Sequence, residues 1–227
     1  MKQNYNIKQI VYFAIGILGI GFLAALQMKL NIGIGPWDGM GRSISYVTNL
    51  RVGDISTILS VSCVFLNLLL LRKDFNLTHV LTLVVGILLG QIINFFFYTF
   101  FENLVIESYP LKLIIFVVSV VIMAIAVSIV QTSKFISLPL ESFCQEFADR
   151  NGKTFAFMRQ AADVFSVVTI VVITLFFKVP LTLREGTIIS MIIFGPITGV
   201  VMPRLTRWLN QTGIVKVSNQ VTLQVEA

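Results

Sequence analysis

Ile32-Gly33-Ile34-Gly35-Pro36-Trp37-Asp38-Gly39-Met40-Gly41-Arg42 stands directly behind an apolar run long enough to cross a bilayer. The segment itself is too polar to span and too apolar for an ordinary loop. Pro36 suits the first helical position, where its missing N–H costs nothing, and Asp38 then lies beside the positive end of the helix dipole. Gly35 and Pro36 therefore mark the unwound start of a half-helix. A looser counterpart, Phe135-Ile136-Ser137-Leu138-Pro139-Leu140-Glu141-Ser142-Phe143, follows a later apolar run, with Pro139 as its half-helix start. Irregular backbone at membrane depth survives only where protein or a wet cavity surrounds it. If the two segments (residues 33–48 and 136–150) dip inward, they line a cavity. If they lie flat in the interface, Asp38 and Glu141 support only their own helices, and Asp38 with Arg42, like Glu146 with Arg150, is an i,i+4 pair.

Outward from these segments the chain is apolar throughout. Of 227 residues, 56% are hydrophobic and 12% charged, and the mean hydropathy is +0.88. One water-soluble core cannot hide that much. Six runs reach the roughly 17–25 residues that cross about 30 Å of hydrocarbon: residues 10–28, 55–71, 80–101, 112–130, 161–177 and 187–203. The first is too long for a signal-peptide core and lacks a cleavage site, so it reads as a retained span. Lys and Arg favour the side of the N-terminus by eleven to six, counting Lys2, Lys134 and Lys216 among the eleven. Basic segments stay cytoplasmic, which predicts both termini there. The resulting division is a cytoplasmic N-terminus (1–9), a first three-span repeat (10–101), an outer connecting loop (102–111), a second three-span repeat (112–203) and a cytoplasmic tail (204–227). Trp208 reads as an interfacial anchor in that tail, and no soluble domain fits there.

The repeat rests on two correspondences. Thr78, Gly86 and Gly90 match Thr187, Gly195 and Gly199 at one offset of 109 residues, each glycine pair being a G-x-x-x-G step that lets another helix backbone approach. Gln27 is followed by Pro36 and Asp38, as Gln131 is by Pro139 and Glu141, at an offset near 103. Three spans per half is an odd number, so the second half enters the membrane from the opposite side. Inverted repeats of this kind build many secondary transporters. The expected fold class is an all-α polytopic membrane protein of six transmembrane helices, arranged as two inverted three-helix repeats, each with a short Pro-led half-helix or re-entrant segment.

Charge within such a protein is expensive and marks function more often than elsewhere. The candidates for substrate or coupling-ion binding are Asp38, Glu141, Asp163, Trp37, Asn67 and Gln91; helix packing falls to Gly86, Gly90, Gly195 and Gly199. Arg159 and Asp163, four apart, read first as an interfacial ion pair and second as part of a pathway. Asn67, Gln91 and Asn94 read as interhelical hydrogen-bonding groups or as pathway lining. Phe95, Phe96, Phe97 and Tyr98 read as an aromatic belt or packing surface, and Cys63 as a small core residue. His79 reads as a solvated headgroup contact. Two cysteines and one histidine give no metal spacing, no disulfide framework and no His-based dyad. No catalytic residue, metal or cofactor is expected, and no enzyme. The 17 basic residues are scattered, which argues against nucleic acid as a partner. The expected partners are the lipid bilayer, a small solute of unidentified chemistry and, through a G-x-x-x-G face, a second copy of the chain.

The Gly-x-Gly-Pro-Trp-Asp run at 33–38, the Thr-and-glycine step of each half and Glu185-Gly186-Thr187 at the last span together resemble the YitT/YczE family of bacterial integral membrane proteins. The likeness extends from the first run to Arg204 and is closer to the compact YczE-type members. It implies a multi-pass protein of the bacterial cytoplasmic (inner) membrane and passes on no substrate, reaction or catalytic residue. The functional expectation is a small secondary transporter working by alternating access, coupled to protons or another cation. The rival is a non-transporting membrane scaffold or accessory protein for a biosynthetic or regulatory partner, in which the acids can be neutralised without loss.

Overall fold

The computed structural model describes residues 7–133 and 135–211. Lys2, Lys134, Lys216 and the tail beyond residue 211 lie outside the described residues. The described chain forms α1 (Ile7–Leu30), α2 (Pro36–Thr48), α3 (Val52–Leu71), α4 (Leu77–Phe95), α5 (Tyr109–Ser133), α6 (Pro139–Asn151), α7 (Phe155–Phe177) and α8 (Glu185–Gln211). Six of these, α1, α3, α4, α5, α7 and α8, are long and apolar enough to cross a membrane. Their outward faces carry large apolar side chains such as Phe65, Leu69, Phe165 and Phe176, all more than half exposed. A surface of that kind suits lipid rather than water.

Each predicted run lies almost wholly within one long helix, and two of the helices differ from the hydropathy reading at an end. α7 starts at Phe155 because Thr154 caps it, its hydroxyl accepting from Phe157 N at 3.2 Å; Arg159 and Gln160 had interrupted the apolar run there. α8 continues through Pro196 and Pro203 to Gln211. α4 ends in one π-helical turn, Phe96–Phe100. There Phe96, Phe100 and Phe101 gather around Phe22 of α1, with ring centroids 5.1–6.1 Å from it. The aromatic cluster is thus largely a packing surface.

α2 and α6 are the two short helices, and their construction matches residue for residue. Each is 13 residues long and begins at its proline; the first helical bonds, Gly39 N to Gly35 O and Ser142 N to Leu138 O, are both 2.8 Å. Each ends in a left-handed residue, Asn49 (φ 57°) and Gly152 (φ 60°), a conformation that asparagine and glycine tolerate best.

Around them the long helices form two groups. α1 packs on α5, α4 on α1 and α8 on α5; in the other group α2 packs on α7 and α3, and α6 on α3 and α7. Phe13, Ile17, Ile20, Ala126 and Val130 fill the α1–α5 core. Between the groups the large helix contact is α3 against α4, supplemented by α4 against α6. A Cβ on Gly86 would come within 2.5 Å of the Ser60 Cβ and 3.0 Å of Pro139, and one on Gly90 would collide with Thr57 and the backbone of Gly53. These glycines are what lets the two backbones meet. Asn94 completes the contact, accepting from Gly53 N and donating to Asp54 Oδ1, both at 2.8 Å.

Gly195 and Gly199 depart from expectation: a Cβ on either meets nothing within 4 Å. The physical reason is that α8 rests on α5 and makes no comparable contact with α7, leaving the glycine face uncovered. A cleft of about 510 Å³ lies between α7 and α8, bounded by Val164 and Val167 on one and Thr187, Ile188 and Met191 on the other.

Candidate functional site

The first turns of α2 and α6 approach each other inside the second group of helices. Trp37, half-buried, packs on a cluster of Cys63 from α3 with Leu140 and Cys144 from α6, which Phe143, Phe155 and Met158 also border. Their convergence brings together the acids that follow the two prolines. Glu141 Oε1 lies 3.8 Å from Arg159 Nε, and Arg159 also pairs with Asp163 one helical turn along α7. Asp38 is within electrostatic reach of Arg159, Glu141 and Asp163. The side chains of Arg159, Glu141 and Asp163 are only 23%, 14% and 16% exposed.

Two carboxylates, Glu141 of α6 and Asp163 of α7, thus pair with one guanidinium, and a third, Asp38 of α2, lies within electrostatic reach of it. If all are ionised the group carries two uncompensated negative charges. Burial makes such an excess costly unless a proton or a cation offsets it. Among the described residues no three His, Cys, Asp or Glu side chains stand close enough to hold a metal ion.

Of the other candidates, Asn67 belongs with this centre. It is fully buried on α3, its Nδ2 donates to Ser142 Oγ at 3.3 Å, and its Oδ1 has no hydrogen-bond partner among the described residues. Gln91 is exposed on α4 and is not among the residues that meet here. Arg159 is more than an interfacial partner of Asp163, because it ties α7 to α6 through Glu141.

Neither expected i,i+4 pair forms. Arg42 donates instead to Met28 O and, at 2.9 Å, to Tyr46 Oη, while Arg150 binds Asp74 at 2.7 Å. Glu146 faces His79 at 3.4 Å. His79 is buried rather than solvated: Asn76 N donates to its Nδ1 at 3.2 Å and closes a capping box at the start of α4.

Two polar groups that hold α2 were not singled out from sequence. Ser43 Oγ and Thr182 Oγ1 are 2.8 Å apart, and Thr182 also donates to Gly39 O at 3.1 Å, fastening the α7–α8 connection onto α2. Gln27 and Gln131, read from the sequence as markers of a repeat, each bury an Nε2 that has no acceptor among the described residues. Their shared place ahead of each half-helix was the available signal.

The chain is 26% identical over 197 residues, 87% of its length and 94% of the other's, to a Bacillus subtilis (strain 168) protein named uncharacterized protein YyaS. No solved structure is significantly similar to it. Residues 7–203 match the profile of a family of unknown function, DUF6198, and the chain, a multi-pass helical protein by the length and apolarity of its helices, belongs to that family.

Proposed function

We propose that the protein is a small secondary transporter built of two inverted three-span halves and coupled to protons through Asp38, Glu141 and Asp163. The observation that carries this reading is the pairing of Arg159 with Glu141 and Asp163, with Asp38 in electrostatic reach, where the short helices led by Pro36 and Pro139 meet α7. Intramembrane acids that face the protein interior serve proton and ion pathways more readily than stability.

The helix pairings support the inverted arrangement. Exchanging halves turns α1–α4 into α5–α8, α2–α3 into α6–α7 and α2–α7 into α6–α3, and these contacts are present, with α1–α5 mapping onto itself, whereas α3–α4 and α4–α6 have no comparable counterpart in α7–α8 and α2–α8. The likeness to YitT/YczE proteins is consistent with placement in the bacterial cytoplasmic membrane. A solute whose binding offsets two negative charges can take the place of the protons, which is how exchange between the two is coupled.

Two measurements test the reading. Dicyclohexylcarbodiimide, which modifies protonated carboxyls in apolar surroundings, should label the reconstituted protein at Asp38 or Glu141, and Asp38→Asn with Glu141→Gln should remove the label. The same variants should abolish solute-dependent proton movement in proteoliposomes while the folded yield is unchanged. Unaltered proton movement in both variants would overturn the transporter and favour a scaffold.

A further inference from the structure

The two halves of the molecule are built alike and closed unequally. At α3 and α4 the groups are zipped: Gly86 sits on Ser60 and beside Pro139, and Gly90 sits on Thr57 and Gly53. Carrying α2 and α3 onto α6 and α7 at the 103-residue offset that relates both ends of α2 to those of α6 and the start of α3 to that of α7 places Asp163 where Ser60 is, Gln160 where Thr57 is and Ala156 where Gly53 is. The 109-residue offset places Gly195 and Gly199 where Gly86 and Gly90 are. The second half therefore carries the matching positions of the same zipper on α7 and α8, but Gly195 and Gly199 meet nothing within 4 Å, and a cleft lies between the two helices.

Three further observations fit a joint that closes. Val164, the residue after Asp163 in α7, lines the cleft. Gln160 is exposed on a membrane-spanning helix, where a polar amide is poorly placed against lipid. Pro196, directly after Gly195, removes a backbone donor from the middle of α8 and loosens it there; the matching position of α4 is Ile87.

We infer that the group α2, α3, α6 and α7 rocks between two partners, releasing α4 as α7 closes onto α8, with Gly195 received by Asp163 and Gly199 by Gln160. Closure covers the centre from the α8 side and unzips Gly86 and Gly90 from α3, which uncovers it from the α4 side. The two contacts exclude each other because one rigid group cannot rest on both walls. This rests on the inverted-repeat transporter reading and adds the moving parts to it. Closure places Asp163 against helix backbone, so neutralising that acid favours the closed form.

The test uses the full chain in membranes, with Cys63→Ala and Cys144→Ala to remove the native thiols and size-exclusion chromatography to verify folding. Gln160→Cys with Gly199→Cys should form an intrachain disulfide on oxidation; Ala156→Cys with Gly199→Cys is the independent second pair. Bridging Asp54→Cys to Asn94→Cys with a short bis-thiosulfonate, which pins α3 to α4, should lower the α7–α8 yield by about ten-fold, and Asp163→Asn should raise it. An α7–α8 bridge indifferent to that pin overturns the proposal. So does the absence of an intrachain bridge in both pairs, or a bridge only between two chains from Gly199→Cys alone, which assigns the glycine face to a second copy. Reciprocal bridging with proton movement untouched by Asp38→Asn and Glu141→Gln would sink the transport reading and leave the rocking motion standing. Lost proton movement without bridging would do the reverse.

Discussion

Arg159 holds together charges that would otherwise repel: it reaches Glu141 on α6 and Asp163 on its own helix, with Asp38 of α2 nearby. Removing a guanidinium from such surroundings leaves carboxylates uncompensated, at a cost of about 2 kcal/mol for a partly buried group. Arg159→Met should lower thermal stability in detergent accordingly, and Arg159→Met combined with Asp163→Asn should lose less than the sum of the two single changes. Simple additivity in that double-mutant cycle would mean that the pair is screened and that Arg159 acts elsewhere. Asp38 and Glu141 were legible from sequence because Pro-x-acid at a helix start is a local signal. The Arg159–Glu141 contact was not, since it joins residues on different helices and the nearer Asp163 supplied Arg159 with a sufficient local partner.

Among the elements, identical sequence steps have unlike neighbours. Gly90→Leu must displace α3, whereas Gly199→Leu enters open space. Overpacking costs about 1–3 kcal/mol, so Gly90→Leu should lower the melting temperature and folded yield while Gly199→Leu leaves both near the parent value; equal losses would show that α8 is already packed on its glycine face. A G-x-x-x-G step announces that a close approach is available. It does not say which helix takes it, or in which conformation. Helix ends show a similar limit: Asn49 and Gly152 stop the two half-helices identically, yet one is asparagine and the other glycine, so the match emerges only from the backbone. The long helices were legible almost to their ends because apolar length alone specifies them in a bilayer.

Taken whole, the molecule has six helices among the described residues that are long and apolar enough to span, an even number, which predicts that the two ends of the described chain share one side. The bias of Lys and Arg predicts the cytoplasm for that side. A green fluorescent protein fused after Ala227 should therefore fluoresce and an alkaline phosphatase fused there should stay inactive; the opposite pattern would invert the topology and move the cleft mouth near Arg184 to the inner face. The helix pairings, by contrast, lay beyond sequence reading, because a bilayer rewards packing without dictating which faces meet.

The stretch before α2 is threaded against the start of α8. Gly186 N donates to Ile32 O at 2.8 Å, Ile34 N reaches Thr187 Oγ1 at 3.4 Å, and Gly33, at φ 133°, has no room for a side chain against Gly186 and Thr187. Synthesis must consequently deliver the final helix before the backbone ahead of α2 can satisfy its own polar groups. A gene severed within residues 102–108 should yield two fragments that are each degraded when made alone and rescue one another when co-expressed, a dependence that a pulse-chase of the separate and paired fragments would reveal.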